Sequence, residues 1–344
     1  MNEKTGIMIA FCTTLTWSIG IFPFTEASRR LGANSVNHFR LLLAVSFLTI
    51  ISFTLLPLSL SEFFSSPMPE HWLWFGLSGV IGLALGDYFS FTSFAILGTR
   101  LGSIFSTLSP TATLMTGFFL VGERINLVGI LGIVLTIAGM IWLSLSRSET
   151  AGIKDVGHGS LKTGIFFGVL SALCQGIGVV LANKGFIYHT TSALREGLEV
   201  VIANKGFTYH STNTTLPFLQ ATWLRMISAT VVIHLFTLFF GNMKKVYEPV
   251  LENRKKGNMF ALAGTIFGPV IGVSLSMYTI SLLKDKPSVA QTIFSLVPIF
   301  ALPLAIIFYR EKVTLKSLLG AVVAVLGVII LIQRDHISNT LFGH

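Results

Sequence analysis

Residues 106–143, STLSPTATLMTGFFLVGERINLVGILGIVLTIAGMIWL, return in recognisable form at residues 294–331, displaced by 188 positions. Under that shift Pro110 falls on Pro298, Glu123 on Glu311, Arg124 on Lys312, Leu127 on Leu315, Gly132 on Gly320 and Gly139 on Gly327. Apolar sequence aligns with apolar sequence by chance, but the rare residues would not also align. Each copy reads as an apolar helix broken by proline, a short charged turn, and a second apolar helix whose glycines stand seven residues apart. A chain with this repeat is built from two related halves.

The solvent of those halves follows from composition. Apolar residues make up 52% of the chain and charged residues 11%, and mean hydropathy is +0.75, far from the balance of a water-soluble domain. A hydrocarbon core of about 30 Å takes about 20 apolar residues per helix, and about ten such runs can be marked. In the first half they cover residues 5–27, 37–60, 71–97, 101–121 and 126–146; in the second, 161–186, 217–241, 258–283, 288–309 and 314–333. The expected fold is therefore an all-α polytopic membrane protein of ten transmembrane helices. Five helices per half, an odd number, turns the halves over relative to each other and makes them inverted repeats, as in secondary transporters. The expected division is residues 1–147 for the first repeat, 148–160 for a linker, 161–334 for the second repeat and 335–344 for a tail.

Several function classes fall away at this point. Cys12 and Cys174 both sit in apolar runs, read as small packing residues, and leave no disulfide framework or metal cluster to build. The net charge of +9 comes from basic residues in short loops between spans, which suits anionic lipid headgroups and not a nucleic-acid groove. The first apolar run is long, carries Trp17 and continues into the fold, unlike a cleavable signal. No GxxxxGK[ST] loop is present, so a pump driven by its own nucleotide site is not expected, and no cofactor is implied. A membrane-embedded enzyme would need clustered nucleophiles, histidines or paired acids within the spans, and these are not there.

In chain order, the first run carries Thr13, Thr14 and Thr16 ahead of Trp17-Ser18, and the second opens on Asn37-His38-Phe39-Arg40. With Ser109-Pro110 to Gly122-Glu123, and its second copy Val297-Pro298 to Arg310-Glu311, these residues resemble the drug/metabolite transporter superfamily, in particular the EamA-like family. That family's halves begin with a WG-like pair, place an arginine at the start of the second helix and carry a proline-to-GE segment. Ser18 replaces the usual glycine, and the second copy lacks the serine and glycine of the motif. The resemblance covers nearly the whole chain and is specific to fold, not to substrate. It implies a carrier of small organic metabolites, efflux more than uptake, with both termini in the cytoplasm. Loop charge instead prefers the termini outside, because of Lys244-Lys245 and Arg254-Lys255-Lys256.

Asp87, in GLALGDYF, stands near mid-span, where a carboxylate costs roughly 2.5–3.5 kcal/mol on insertion scales. It is a candidate for carrying a proton, binding a cation or gripping a substrate amine; the alternative is a structural acid bonded to a neighbouring helix. Trp17, Tyr88, Gln175, Arg225, Tyr278 and Gln291 are the further candidates for a central cavity. Arg225 in TWLRM corresponds to Arg40, and Gln175 to Trp17. Arg40 and Arg225 would either anchor at the interface or bind an anionic group or close a gate. Lys184 is expected to snorkel to the interface and the isolated His234 to be a satisfied packing residue. Glu123 and Glu311 are expected to cap helix N-termini. Pro110 and Pro298, matched breaks in the two halves, are candidate hinges or markers of a midplane site.

One segment departs from the repeat. Residues 171–191, SALCQGIGVVLANKGFIYHTT, are followed directly by residues 192–212, SALREGLEVVIANKGFTYHST, a tandem duplication in which Arg195, Glu196 and Glu199 replace Cys174, Gln175 and Gly178. The first copy is expected to span the membrane and the second to form a loop helix, a tolerated insertion between the sixth and seventh helices.

The sequence thus points to a secondary transporter in a bacterial cytoplasmic membrane. Its partners would be a small-molecule substrate and lipid, with no nucleic acid, and it would be a monomer or homodimer. An uptake carrier or facilitator for a sugar or nucleotide-type solute, and a channel or scaffold, are the alternatives.

Overall fold

The computed structural model describes residues 2–146, 160–187, 216–252, 255–309 and 315–342, all helix and connecting turns. In order these are α1 (Asn2–Leu31), α2 (Ala33–Leu55), α3 (Leu60–Ser65), α4 (Pro69–Ser78), a π-helical stretch (Gly79–Gly86) and α5 (Asp87–Ile104). A 3-10 turn (Phe105–Leu108), α6 (Ser109–Leu120), α7 (Leu127–Ser146), α8 (Leu161–Ile187), α9 (Phe218–Phe240) and α10 (Met243–Leu251) follow. The rest is α11 (Lys255–Thr265), a second π-helical stretch (Ile266–Val273), α12 (Ser274–Leu282), α13 (Pro287–Phe294), α14 (Val297–Tyr309), α15 (Leu315–Ile332) and α16 (Arg334–Phe342). The second copy of the tandem duplication, Glu311, Lys312 and residues 148–159 of the expected linker lie outside the described residues.

The molecule is apolar outside and carries its polar groups within. Leu42, Ile50 and Phe53 of α2, Phe166 and Leu173 of α8, Phe236 and Phe239 of α9, and Leu318 and Val322 of α15 are exposed. Thr14, Ser18, Asn37, Arg40, Asn183, Gln220 and Arg225 are buried. That inversion suits a setting in which lipid replaces water outside and inner polar groups find partners within the bundle. Hydroxyls meet the requirement locally: Thr14, Ser18 and Thr25 each donate to the carbonyl four residues earlier on α1.

Among the described residues six helical stretches are long and apolar enough to cross a membrane: Glu3–Leu31, Ala33–Leu55, Pro69–Thr99, Leu161–Ile187, Phe218–Phe240 and Lys255–Leu282. A seventh results if Leu318–Ile332 and Arg334–Leu341, bent by 73°, count as one. Of the other expected crossings, Leu127–Trp142 and Pro287–Ala301 are apolar but shorter. The region expected to cross at 101–121 is divided by the turn at Phe105–Leu108, and that at 288–309 by the break after Phe294. In both, proline follows the break: Pro110 and Pro298 are the second residues of α6 and α14, where a missing N–H costs nothing. The prolines open new helical segments and do not kink continuous ones. Gly98, with φ of 79°, makes the preceding bend, which a side chain would strain.

α7 and α15 run antiparallel and meet along glycine. A Cβ on Gly132 would come 2.8 Å from the Gly327 carbonyl oxygen, one on Gly139 would come 2.4 Å from the Ala324 nitrogen and 2.7 Å from the Gly320 oxygen, and one on Gly327 would come 2.5 Å from the Thr136 nitrogen. Between these contacts Thr136 Oγ1 lies 3.4 Å from the carbonyl of Ala324, its counterpart 188 residues on. The seven-residue glycine spacing seen in the sequence is therefore the spacing of a backbone-to-backbone seam. Gly139→Val should overpack this seam and cost about 1–3 kcal/mol. Leu131→Ala on the exposed face should change stability by no more than about 0.5 kcal/mol. Thermal melts in detergent check both, and equal melting temperatures would show that the helices do not meet here.

Candidate functional site

Local backbone geometry prepares the site. The stretch Gly79–Gly86, GVIGLALG, is wound as a π-helix, and its glycines let neighbouring chains approach. A Cβ on Gly178 of α8 would come 3.1 Å from the Gly82 Cα, and one on Gly79 would fall 2.1 Å from the Arg225 carbonyl oxygen. A carbonyl oxygen has two lone pairs and can accept from a side chain as well as from the backbone, as Gly82 does from the Asp87 N–H. Three in succession are taken by side chains: Gln175 Nε2 donates to Gly82 at 3.2 Å, Arg40 Nη2 to Leu83 at 2.8 Å and Asn37 Nδ2 to Ala84 at 2.7 Å.

Asp87 follows this stretch as the first residue of α5 and closes the network. Its Oδ2 accepts from Arg40 Nη2 at 2.5 Å and its Oδ1 from Gln175 Nε2 at 2.6 Å. Arg40 also donates through Nε and Nη2 to Asn37 Oδ1, and its guanidinium lies over Phe91 at 5.0 Å and Phe24 at 5.9 Å. The Arg40 side chain is 1% exposed and that of Asp87 18%, so the carboxylate edge faces open space while the cation sits behind it. An ion pair taken out of water holds only with good geometry and further hydrogen bonds; both are present.

That open space is a cavity of about 170 Å³. Asp87, Arg40, Gln175 and Gln291 line it together with Trp17, Phe24, Phe91, Phe94, Phe105 and Phe294. Serine hydroxyls complete the wall at Ser90, Ser93, Ser106, Ser109, Ser171 and Ser295. Trp17 packs edge-on against Phe294 at 5.1 Å, and a Cβ on Gly272 in the second π-helical stretch would come 2.4 Å from its indole. Ser93 donates to the Gly164 carbonyl and Ser295 to that of Thr292. Chemically the chamber is aromatic with hydrogen-bonding points and one carboxylate, the form of a binding site for a small organic solute. Among the described residues no group of three His, Cys, Asp or Glu could hold a metal ion.

Of the sequence candidates, Trp17, Asp87, Gln175 and Gln291 are brought together on this cavity. Three are placed elsewhere. Tyr88 packs beside Phe89 and Phe167, Tyr278 stacks on Phe218 at 4.7 Å, and Arg225 lies behind the π-helical stretch with Nη1 on the Met277 sulfur at 3.1 Å. Arg40, expected as an anchor or a gate, is the buried partner of Asp87. Sequence reasoning missed Asn37 as well, although it stands three residues before Arg40, the spacing at which side chains on one helix face meet.

The remaining polar residues hold the frame. Glu123 is buried and caps a helix, but not its own: Ser288 donates through both its hydroxyl and its N–H to the Glu123 carboxylate at the start of α13. Burial raises the Glu123 carboxyl above the usual glutamate value, against the pull of Ser288 and of Arg334. Lys184 Nζ donates to the Leu120 carbonyl at the end of α6 at 2.8 Å. His234 is satisfied, by Tyr247 Oη at 2.6 Å, and meets His38 ring to ring at 4.9 Å. Cys12 and Cys174 are free thiols, and Cys12 is exposed.

An apolar exterior and several helices long and apolar enough to cross a bilayer define an integral, multi-pass membrane protein. The chain belongs to the EamA-like transporter family, whose model matches residues 4–145 and 184–333, and so to the drug/metabolite transporter superfamily. It is 35% identical over 101 residues to the multidrug resistance protein EbrB of Bacillus subtilis (strain 168), a match covering 28% of this chain and 80% of that protein. EbrB of Bacillus atrophaeus is 37% identical over 94 residues, covering 26% of this chain and 74% of the relative. A crystal structure of a protein with 14% sequence identity superposes over 96% of this chain and 97% of that one with a TM-score of 0.60, a likeness of fold.

Removing one member of the Asp87–Arg40 pair leaves the other charge buried, so Asp87→Ala and Arg40→Ala should each destabilise by about 3–5 kcal/mol. The double variant should lose less than the sum, since it removes both charges. Strict additivity in detergent melts would show that the two groups do not act on each other.

Proposed function

We propose that this protein is a secondary transporter of ten crossings, arranged as two inverted five-helix halves over residues 1–147 and 161–334. In this reading it moves a small organic, amino-acid-like solute by alternating access, in the direction of export from a bacterial cytoplasm. The observation that carries the reading is the chamber itself, whose lining residues come from both halves and whose single carboxylate is held by both. Asp87 Oδ2 is bonded to Arg40 of the first half and Oδ1 to Gln175 of the second.

Reciprocal contacts support the two-half arrangement. Ser18 donates to the Val297 carbonyl just before Pro298, and Gly176, its counterpart by the Trp17 to Gln175 alignment, lies against the Ser109 carbonyl just before Pro110. Gly20 of α1 lies against Gly268 in one π-helical stretch, and Gly178 of α8 against Gly82 in the other. In the α7–α15 seam Gly132 meets Gly327 while Gly139 meets Gly320. Contacts that survive exchange of the halves are those a two-fold relation in the membrane plane produces. With helices broken before Pro110 and Pro298, the short segments α6 and α14 are the parts that can tilt, which makes these two positions the hinges.

Asp87 is where solute charge, or a coupling proton, acts in this scheme. The names of the curated relatives fit efflux of organic compounds, and the aromatic wall fits solutes with an apolar body. The test compares solutes released by cells expressing the wild type or Asp87→Asn at matched membrane levels. Export of at least one compound by the wild type is expected, reduced by about tenfold or more in the variant, the loss equivalent to a charge-assisted hydrogen bond. Release equal to that from cells lacking the protein would overturn the export reading, and equal release by both forms would remove Asp87 from the cycle.

A further inference from the structure

Two arginines at corresponding positions of the two halves, Arg40 and Arg225, are buried beside a single carboxylate, and only one of them is satisfied. Arg40 has Asn37, the Leu83 carbonyl and Asp87 as acceptors. Arg225 is 4% exposed, its Nε has no partner, and among the described residues its hydrogen-bond acceptor is the thioether sulfur of Met277 at 3.1 Å. A thioether is a weak acceptor for a guanidinium, and a buried arginine without an anion is a costly arrangement. Arg225 is nonetheless close to one. Its carbonyl presses on Gly79, its Nη2 lies 3.4 Å from where a Gly82 Cβ would stand, and its charge acts on Asp87. The two arginines thus approach the same π-helical stretch from different halves, and Asp87 stands at its end.

We infer that Asp87 exchanges partners during the transport cycle, bound to Arg40 in the conformation seen here and to Arg225 in the conformation that opens to the opposite side. The inference rests on the alternating-access reading. If the halves trade conformations, the surroundings of Arg40 and Arg225 trade as well, but the acid does not: the residues at the corresponding junction of the second π-helical stretch and α12, Val273, Ser274 and Leu275, include no carboxylate. One carboxylate serves two cations, and whichever state it chooses leaves one cation with neutral acceptors. That makes the ion pair a bistable element, biased by anything that changes the worth of either partner. The glycines of Gly79–Gly86 let the stretch shift against α8 and α9 without side chains in the way, and Gln175, bonded to Asp87 from α8, guides the carboxylate between them.

The test uses the full chain in membrane vesicles of both orientations, with Cys12→Ser and Cys174→Ala and a single reporter, Ser106→Cys, on the cavity wall. Labelling by a membrane-impermeant maleimide from each side gives the ratio of the two conformations without needing a substrate, so the result stands apart from success or failure of the export assay. Arg225→Met should hold Asp87 on Arg40 and raise labelling from the side to which this cavity opens; Arg40→Met should lower it. We expect shifts of about tenfold in opposite directions. Met277→Gln keeps the arginine but gives it a competing oxygen, and should shift the ratio the same way as Arg225→Met, which covers the case in which that variant does not fold. Shifts in one direction for both arginine variants, or none, would overturn the exchange. So would an unchanged ratio in Arg225→Met, the result expected if Arg225 serves a solute carboxylate alone.

Discussion

A carboxylate in the middle of a lipid-facing bundle has to be surrounded by donors, and much of the architecture follows from doing this for Asp87. Arg40 and Gln175 supply the donors from two different helices, which fixes α2 and α8 against the start of α5. Arg40 then needs acceptors of its own, and the Leu83 carbonyl in the π-helical stretch Gly79–Gly86 is one of them. Asn37 bonds both to Arg40 and to that stretch. Removing any one of these groups leaves a polar atom in a region without water. The cluster is therefore a single unit, and the chamber beside it inherits its shape.

The second constraint is close approach. Where helices cross deeply inside the bundle the chain uses glycine, at Gly20 with Gly268, Gly82 with Gly178, and the seam of α7 with α15. Without a hydrophobic drive between helices in lipid, contact area and backbone proximity have to supply the attraction. Bulky residues such as Phe236 and Phe239 face outward instead.

The sequence made the membrane-embedded helical class readable through its apolar runs, and rare residues mark a repeat: proline, glutamate and glycine recur at a fixed displacement whatever the apolar filling between them, and Asp87 stands out in an apolar run. The pairings were not readable, for a physical reason: they join residues far apart in the chain. Arg40 meets Asp87 across 47 residues and Gln175 meets it across 88. Nothing local in α2 distinguishes an arginine that anchors at an interface from one that is buried. Helix periodicity likewise could not show that Tyr88 and Tyr278 turn from the cavity while Gln291 lines it. Proline marked the breaks near Pro110 and Pro298, but not that each proline starts a new helical segment, which depends on the backbone just before it.

Glu123 carries a consequence for how such a chain is made. Its carboxylate is buried by contacts from Ser288, 165 residues further on. While the ribosome is still producing the intervening helices, that acid has no partner of its final kind and its place is in water. The turn between α6 and α7 can settle only when α13 has been inserted, so the early helices wait, incompletely docked, for the late ones. Assembly of the bundle is in this sense closed from its far end.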